Sequence, residues 1–245
     1  MDLTEGYNVT NTAPDHPIQS YFGWVTEGIF QDSADIKKHA TQTAGTGPGD
    51  LKFKDINGDG KIDNNDRTFL GSFIPKFTYS LNLGANYKNF GLTVFFQGVQ
   101  GNKIYNALRA TTEGMVRFFN AGTQVLNAWT PANPNTNIPR AASSDPNQNA
   151  RPSTRFLEDG SYLRLKNIML SYTIPDKSLQ SLTKGTVRNF RIYVSAQNIL
   201  TFTKYTGYDP EVGNRAPGSS SLTNGIDYAV YPQPKAYHVG ITADF

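Results

Sequence analysis

The sequence predicts an all-β chain: an antiparallel transmembrane β-barrel segment of about six strands, with long loops gathered at one end. Three observations carry that prediction. Residues 77–100 read as one long hairpin with an apolar and a polar face, the C-terminus is an alternating strand, and the connections between strands alternate in length. No apolar run approaches the roughly 20 residues of a membrane-spanning helix, so any crossing is made by strands.

The hairpin fixes its own register. From Phe77 to Tyr87 the odd positions are Phe77, Tyr79, Leu81, Leu83, Ala85 and Tyr87, against Thr78, Ser80, Asn82, Gly84 and Asn86. That is the period of a strand with one apolar face. With Lys88-Asn89 as a two-residue turn, Tyr87 lies opposite Phe90, Ala85 opposite Leu92, Leu83 opposite Val94 and Leu81 opposite Phe96. Every pair falls on the apolar face, so turn and patterning specify the same register. Lys-Asn is a weaker turn pair than Asn-Gly, and the pairing supports it independently. Each arm runs to about eleven residues, enough for a tilted strand to cross a bilayer.

Four more segments read as strands. Ile18 to Trp24 comes first, with Tyr21, Phe22 and Trp24 as an aromatic cluster. Tyr162 to Ile174 changes phase near Lys166-Asn167, where a β-bulge is expected. Val187 to Asn198 places Phe190, Ile192, Val194 and Ala196 on one face. Tyr237, Val239, Ile241, Ala243 and Phe245 alternate with polar or small residues to the end of the chain. Long connections cover roughly 26–75, 101–161 and 199–235, and short ones are Lys88-Asn89 and roughly 175–186. Outer-membrane barrels keep short turns on the periplasmic side and long loops outside. By that parity the three long loops face the medium.

Composition excludes several function classes. The 245 residues are 38% hydrophobic and 12% aromatic and contain no cysteine, which removes disulfides, thiolate chemistry and Cys-based zinc sites. Mean hydropathy is −0.47, and a β-barrel hides its apolar band in alternation from any such average. The net charge of +3, with scattered basic residues, gives no basis for nucleic-acid binding. Met1 to Glu5 has no basic or apolar region of an export signal, so the chain is expected to be the C-terminal piece of a longer protein. The competing architecture is a secreted, calcium-stabilised, carbohydrate-binding β-sandwich, which also alternates.

Residues 55–66 hold the one metal-type motif. Asp55, Asn57, Asp59, Lys61 through its carbonyl, Asp63 and Asp66 fall at loop positions 1, 3, 5, 7, 9 and 12, with Gly60 at position 6. A structural Ca2+ is the expected ion. Asp in place of Glu at position 12 makes bidentate closure harder, and the strand-like Leu51-Lys52-Phe53-Lys54 replaces the entering helix. No catalytic elbow, phosphate loop or His pair at ligand spacing occurs, so an enzyme finds no support. Trp129, Tyr205 and Tyr208 lie in or beside the long loops and are candidates for stacking on a ligand or partner.

Several blocks, in order, resemble the C-terminal region of the SusC/RagA family. They are the Asp55–Asp63 loop with Asp66-Arg67-Thr68 and Gly71, Trp129-Thr130-Pro131 with Pro139-Arg140, Leu157 to Asn167, Ala196 to Leu200, Tyr205 to Glu211, and Tyr231-Pro232 through Phe245. The resemblance implies a TonB-dependent outer-membrane transporter of a Gram-negative bacterium that imports glycans, oligosaccharides or peptides. It implies a SusD-like surface lipoprotein as lid, and energy from the TonB complex acting through a plug region that these residues do not include. It further implies a barrel of 22 strands set in the lipid bilayer and Phe245 as the terminal aromatic read by the barrel-assembly machinery.

Overall fold

A computed structural model describes residues 6–114, 120–142, 144–213 and 224–245. Met1 to Glu5 lie outside the described residues, as do parts of loops 101–161 and 199–235. The strands are β1 (Thr10–Asn11), β2 (Ser20–Gly23), β3 (Thr26–Ile29), β4 (Leu51–Phe53), β5 (Thr68–Gly71), β6 (Phe77–Tyr87) and β7 (Phe90–Gln100). They continue with β8 (Lys103–Asn106), β9 (Leu157–Asp159), β10 (Tyr162–Thr173), β11 (Asn189–Thr203), β12 (Ile226–Asp227) and β13 (Ala236–Asp244). Short helices are α1 (Ser33–Lys38), α2 (Ala107–Glu113) and α3 (Asp176–Thr183).

Five long strands form one open antiparallel sheet, the wall, in the order β13-β11-β10-β7-β6. The hairpin has the expected register, with Tyr87 opposite Phe90, Ala85 opposite Leu92, Leu83 opposite Val94 and Leu81 opposite Phe96. Lys88 takes φ +53 to make the turn, a backbone state that side chains reach at some cost. The phase change in β10 is a bulge. Pairing skips from Leu165 to Asn167 on both neighbours, and Asn198 of β11 takes φ +54 opposite it. The extra residue, Lys166, returns Ile168, Leu170 and Tyr172 to the same face as Leu163 and Leu165.

The strand count needs a correction. Ile18–Trp24 is not a wall strand; its core, β2, pairs with β1 and β5 in a small sheet, and Tyr21 and Trp24 are buried. Aromatic packing in the loops decided its place, not alternation. Two further small sheets, β12-β8-β9 and β3-β4, join it with residues from all three long connections. This second region, the cap, sits at the long-connection end of the wall. Its first apolar cluster is Val9, Tyr21, Tyr105, Ala107, Ala110, Phe156 and Ile226. The second is Trp24, Ile29, Leu51, Phe53, Ile62 and Trp129. Each cluster draws on segments more than 75 residues apart, so the long loops fold as one packed body. The short connections, Lys88-Asn89 and the α3 turn, lie at the other end of the wall. Among the described residues, no sheet packs across the apolar face as a sandwich requires; all eleven residues of β6 are exposed.

Candidate functional site

Reading the wall across its strands gives continuous apolar rows. Tyr87, Phe90, Tyr172, Ile192 and Ile241 form one; Ala85, Leu92, Leu170, Val194 and Val239 form the next. Leu83, Val94, Ile168, Ala196 and Tyr237 follow, then Leu81, Phe96, Leu165 and Leu200. The opposite face carries Asn86, Gly91, Ser171, Tyr193 and Gly240, then Gly84, Thr93, Met169, Ser195 and His238. Ten residue steps of a strand tilted about 45° rise about 24 Å, the height of a barrel's lipid-facing band. Aromatic side chains mark both ends of that band, with Tyr87, Phe90 and Tyr172 at one and Phe77, Tyr79 and Phe202 at the other.

On the polar face, Arg164 of β10 ties the cap to the wall. Its buried guanidinium donates to Asp209 Oδ1 at 2.5 Å, Glu211 Oε2 at 2.8 Å and Thr201 Oγ1 at 2.9 Å. Lys166 adds a 2.9 Å bond to Glu211. Burial pushes the Asp209 carboxyl up, but the backbone N–H groups of Gln233 and Glu211 and the Arg164 side chain outweigh it and hold the group below the usual carboxylate range. The loop after β11 is thereby folded over the polar face near its long-loop end.

Two adjoining clefts open in the cap around a second ionic cluster. Arg109 donates to Glu113 at 2.7 Å, and Arg155 donates to the other oxygen of Glu113 at 2.6 Å and to the Asn137 carbonyl. Burial lowers the Arg155 pKa, opposed by Glu113. One cleft, about 440 Å³, is lined by Asn106, Arg109, Thr112, Gln124, Asn137 and Thr206, among others. The other, about 380 Å³, lies between Thr26, Gln31, Arg109, Thr136, Asn137 and Arg155. Both present amide, hydroxyl and guanidinium groups, suited to hydrogen bonding with a polar solute. Sequence reasoning missed these residues, because contacts among β3, α2 and residues 124–138 leave no spacing to read.

The predicted site residues separate into two kinds. Trp129 is buried, with its indole N–H donating to Gln31 at 3.0 Å. Tyr205 is buried, and its hydroxyl donates to Asp227 at 2.5 Å. Burial, then the Asp227 carboxylate, drives the Tyr205 pKa far up, so it stays a neutral donor. Both side chains pack the cap, which corrects the expectation that they present a stacking surface. Tyr208 is 66% exposed and keeps its ring available, and Phe245 is exposed just beyond β13.

In loop 55–66 the carboxylates face the backbone. Asp55 accepts from Gly58 N–H at 2.7 Å and Gly60 N–H at 2.8 Å, which hold its carboxyl below the usual range. Asn57 and Asp59 accept from the N–H groups two residues on, at 3.0 and 2.9 Å. Asp63 caps the short turn Asn64–Asp66, and buried Asp66 accepts from Ile56 and Asp63 N–H at 2.9 and 2.8 Å. Gly58 and Gly60, at φ +76 and +81, supply the left-handed conformations that coil the loop. Among the described residues, no three His, Cys, Asp or Glu side chains converge on a metal-sized site.

A strongly two-faced antiparallel sheet, with its long connections packed at one end, defines a segment of a membrane β-barrel wall with its loop cap. Comparison with known proteins agrees. No family model matches the chain. It is 37% identical over 231 residues to TonB-dependent receptor P3 of Formosa agariphila, covering 93% of this chain and 22% of that receptor. It is 28% identical over 198 residues to TonB-dependent receptor SusC of Bacteroides thetaiotaomicron, covering 79% of this chain and 17% of that receptor. Among solved structures, the RagAB peptide transporter superposes with a TM-score of 0.71 at 25% identity, over 96% of this chain and 24% of that chain. The chain belongs with the TonB-dependent receptors of the SusC/RagA type. It spans about a fifth of the length of the curated relatives it matches.

Proposed function

We propose that this chain forms part of the barrel wall and the extracellular cap of an outer-membrane TonB-dependent transporter that imports oligosaccharides, glycans or peptides. The observation that carries this reading is the set of apolar rows running unbroken across the wall strands, with every long connection at one end. The apolar face meets lipid, the polar face lines the barrel, and the cap faces the medium. A SusD-like lipoprotein closes over the cap, as the relatedness to SusC and to RagAB supports. TonB supplies energy through parts of the transporter outside this chain, and Phe245 serves the barrel-assembly machinery. The clefts beside Arg109 and Arg155, with exposed Tyr208, are the surfaces assigned to substrate or lid.

The wall cannot close by itself, since its edge strands β6 and β13 each leave an unpaired side. Liposomes holding only these 245 residues are therefore expected to show no uptake. In a complete receptor, Arg109→Ala is expected to reduce solute uptake while outer-membrane levels stay unchanged. Normal uptake by that variant would remove the clefts from the transport path, and a soluble receptor would remove the whole reading.

Calcium in loop 55–66 belongs to the same reading, as a stiffener of the cap. Its support is that Asn57 and Asp59 are exposed and Asp55 half-buried, all at ligand spacing on a loop already coiled by two glycines. Calorimetric titration with Ca2+ should give heat that Asp59→Ala abolishes; identical heats in both would leave the loop closed by its backbone bonds alone.

A further inference from the structure

Where the apolar rows stop beneath the cap, a groove of about 380 Å³ opens on the apolar face of the wall. Tyr79, Leu163 and Phe202 form its lower part, one from each of β6, β10 and β11. Gly98 of β7 completes that row and is what makes the groove possible. A Cβ there would lie 2.1 Å from Tyr79 Cζ, so only glycine lets the Tyr79 ring lie across β7. The upper part is polar, made by Gln100, Asp159, Ser161, Thr203 and Lys204. Asp159 is engaged internally. It accepts from Ser161 N–H at 3.0 Å and Ser161 Oγ at 2.6 Å. The Ser161 hydroxyl depresses the Asp159 pKa against the opposing effect of burial, helped by the Ser161 N–H and then by the Lys103 and Lys204 charges. Among the described residues, neither lysine forms a salt bridge with a carboxylate within 4.0 Å. Lys204 at the rim and Lys103 outside it set two ammonium charges against the single Asp159 carboxylate.

We infer that this groove is a binding site for an acyl lipid bearing a phosphate on its headgroup. The acyl chain lies along Tyr79, Leu163 and Phe202, and the phosphate meets Lys204. Two arguments select a lipid over a soluble solute. The groove opens on the apolar face and continues its rows, whereas the clefts beside Arg109 open within the cap. Its polarity also changes along the strand direction, apolar below and cationic above, as the boundary between acyl chains and headgroups does. The inference rests on the reading of this face as the lipid-facing wall.

The test uses a complete receptor containing this segment, in detergent, with monophosphoryl lipid A as probe and native mass spectrometry as readout. Retention of the lipid is expected to fall about fivefold in Lys204→Gln, the worth of one lysine at a membrane surface. Lys204→Arg should restore it, and Lys88→Gln at the opposite end of the wall should leave it unchanged. Equal retention by wild type and Lys204→Gln overturns the proposal. So does equal retention of a phosphate-free acyl lipid, or full displacement by millimolar inorganic phosphate, which would make the rim an ion site. A receptor that never enters the outer membrane fails the functional reading itself; one that inserts normally but retains no lipid fails only this inference.

Discussion

In the wall, Leu81, Leu83, Val194 and Val239 stand exposed along one face, while in the cap Trp24, Phe30, Phe53 and Phe156 are shut away from solvent. The same chain thus handles apolar side chains in two ways. The cap buries them against each other, as a water-soluble domain does, and the wall displays them in rows. Backbone pairing differs too. Wall strands satisfy one another in an almost unbroken ladder, whereas the cap relies on side chains. Asn147 accepts from Gln42 and Thr46 at 2.7 and 2.6 Å and donates to the Leu51 carbonyl at 3.0 Å. Buried Asp50 receives both Nε and an Nη of Arg140 at 2.9 Å, and Asn149 at 3.0 Å. The cap is built to stay folded in water around irregular backbone, and the wall is built for a solvent that offers no hydrogen bonds.

This contrast predicts where damage stays local. The largest effect is expected from Trp24→Ala, which should cost the cap about 3–5 kcal/mol. Hydrogen exchange in a complete receptor should then rise in cap peptides around residues 20–62 and stay slow in residues 77–100. Equal loss of protection in both would merge wall and cap into one cooperative unit. Next, Val194→Arg in the middle of the apolar rows should destabilise the membrane-inserted receptor by about 2–4 kcal/mol. Its neighbour Ser195→Arg, on the polar face, should shift the urea midpoint little. Matching penalties at these adjacent positions would erase the distinction between the faces.

A smaller effect is expected at Gly240, where a Cβ would lie 2.3 Å from the Tyr193 ring lying over it. Gly240→Ala should cost about 1–3 kcal/mol by overpacking. Pairing it with Tyr193→Ala should recover part of that loss, and a purely additive double mutant would show that the ring contact does not matter. The smallest effect concerns pH. The folded Asp209 pKa lies below its unfolded value, so the unfolded chain binds more protons as pH falls. The stability this group contributes is complete above about 3.9 and is lost as pH falls through the folded pKa. Protease nicking after β11 should increase over that acid range in wild type, and Asp209→Asn should flatten the dependence.

Legibility in the sequence follows the same division. The hairpin register, the apolar faces of β10, β11 and β13, the bulge at Lys166 and the parity of long and short connections could all be read residue by residue. Ile18–Trp24 could not, since Tyr21 and Trp24 look like strand aromatics until the segments that bury them are known. Trp129 and Tyr205 misled for the same reason, and Arg109, Arg155 and Arg164 gave no sign of their partners.

What the sequence by itself determined is therefore the wall: its strands, their faces, and the end at which the loops gather. Period-2 alternation and a tight turn are local signals, and each cross-strand pair repeats the evidence of the one before it. Only the tertiary structure decided the cap, its two clefts, the Arg164 link and the groove beneath it. There the decisive contacts join residues far apart, such as the Tyr21 hydroxyl donating to the Gly225 carbonyl across 204 positions. Such contacts have no period, and irregular backbone held by side chains exists only once all its segments are brought together.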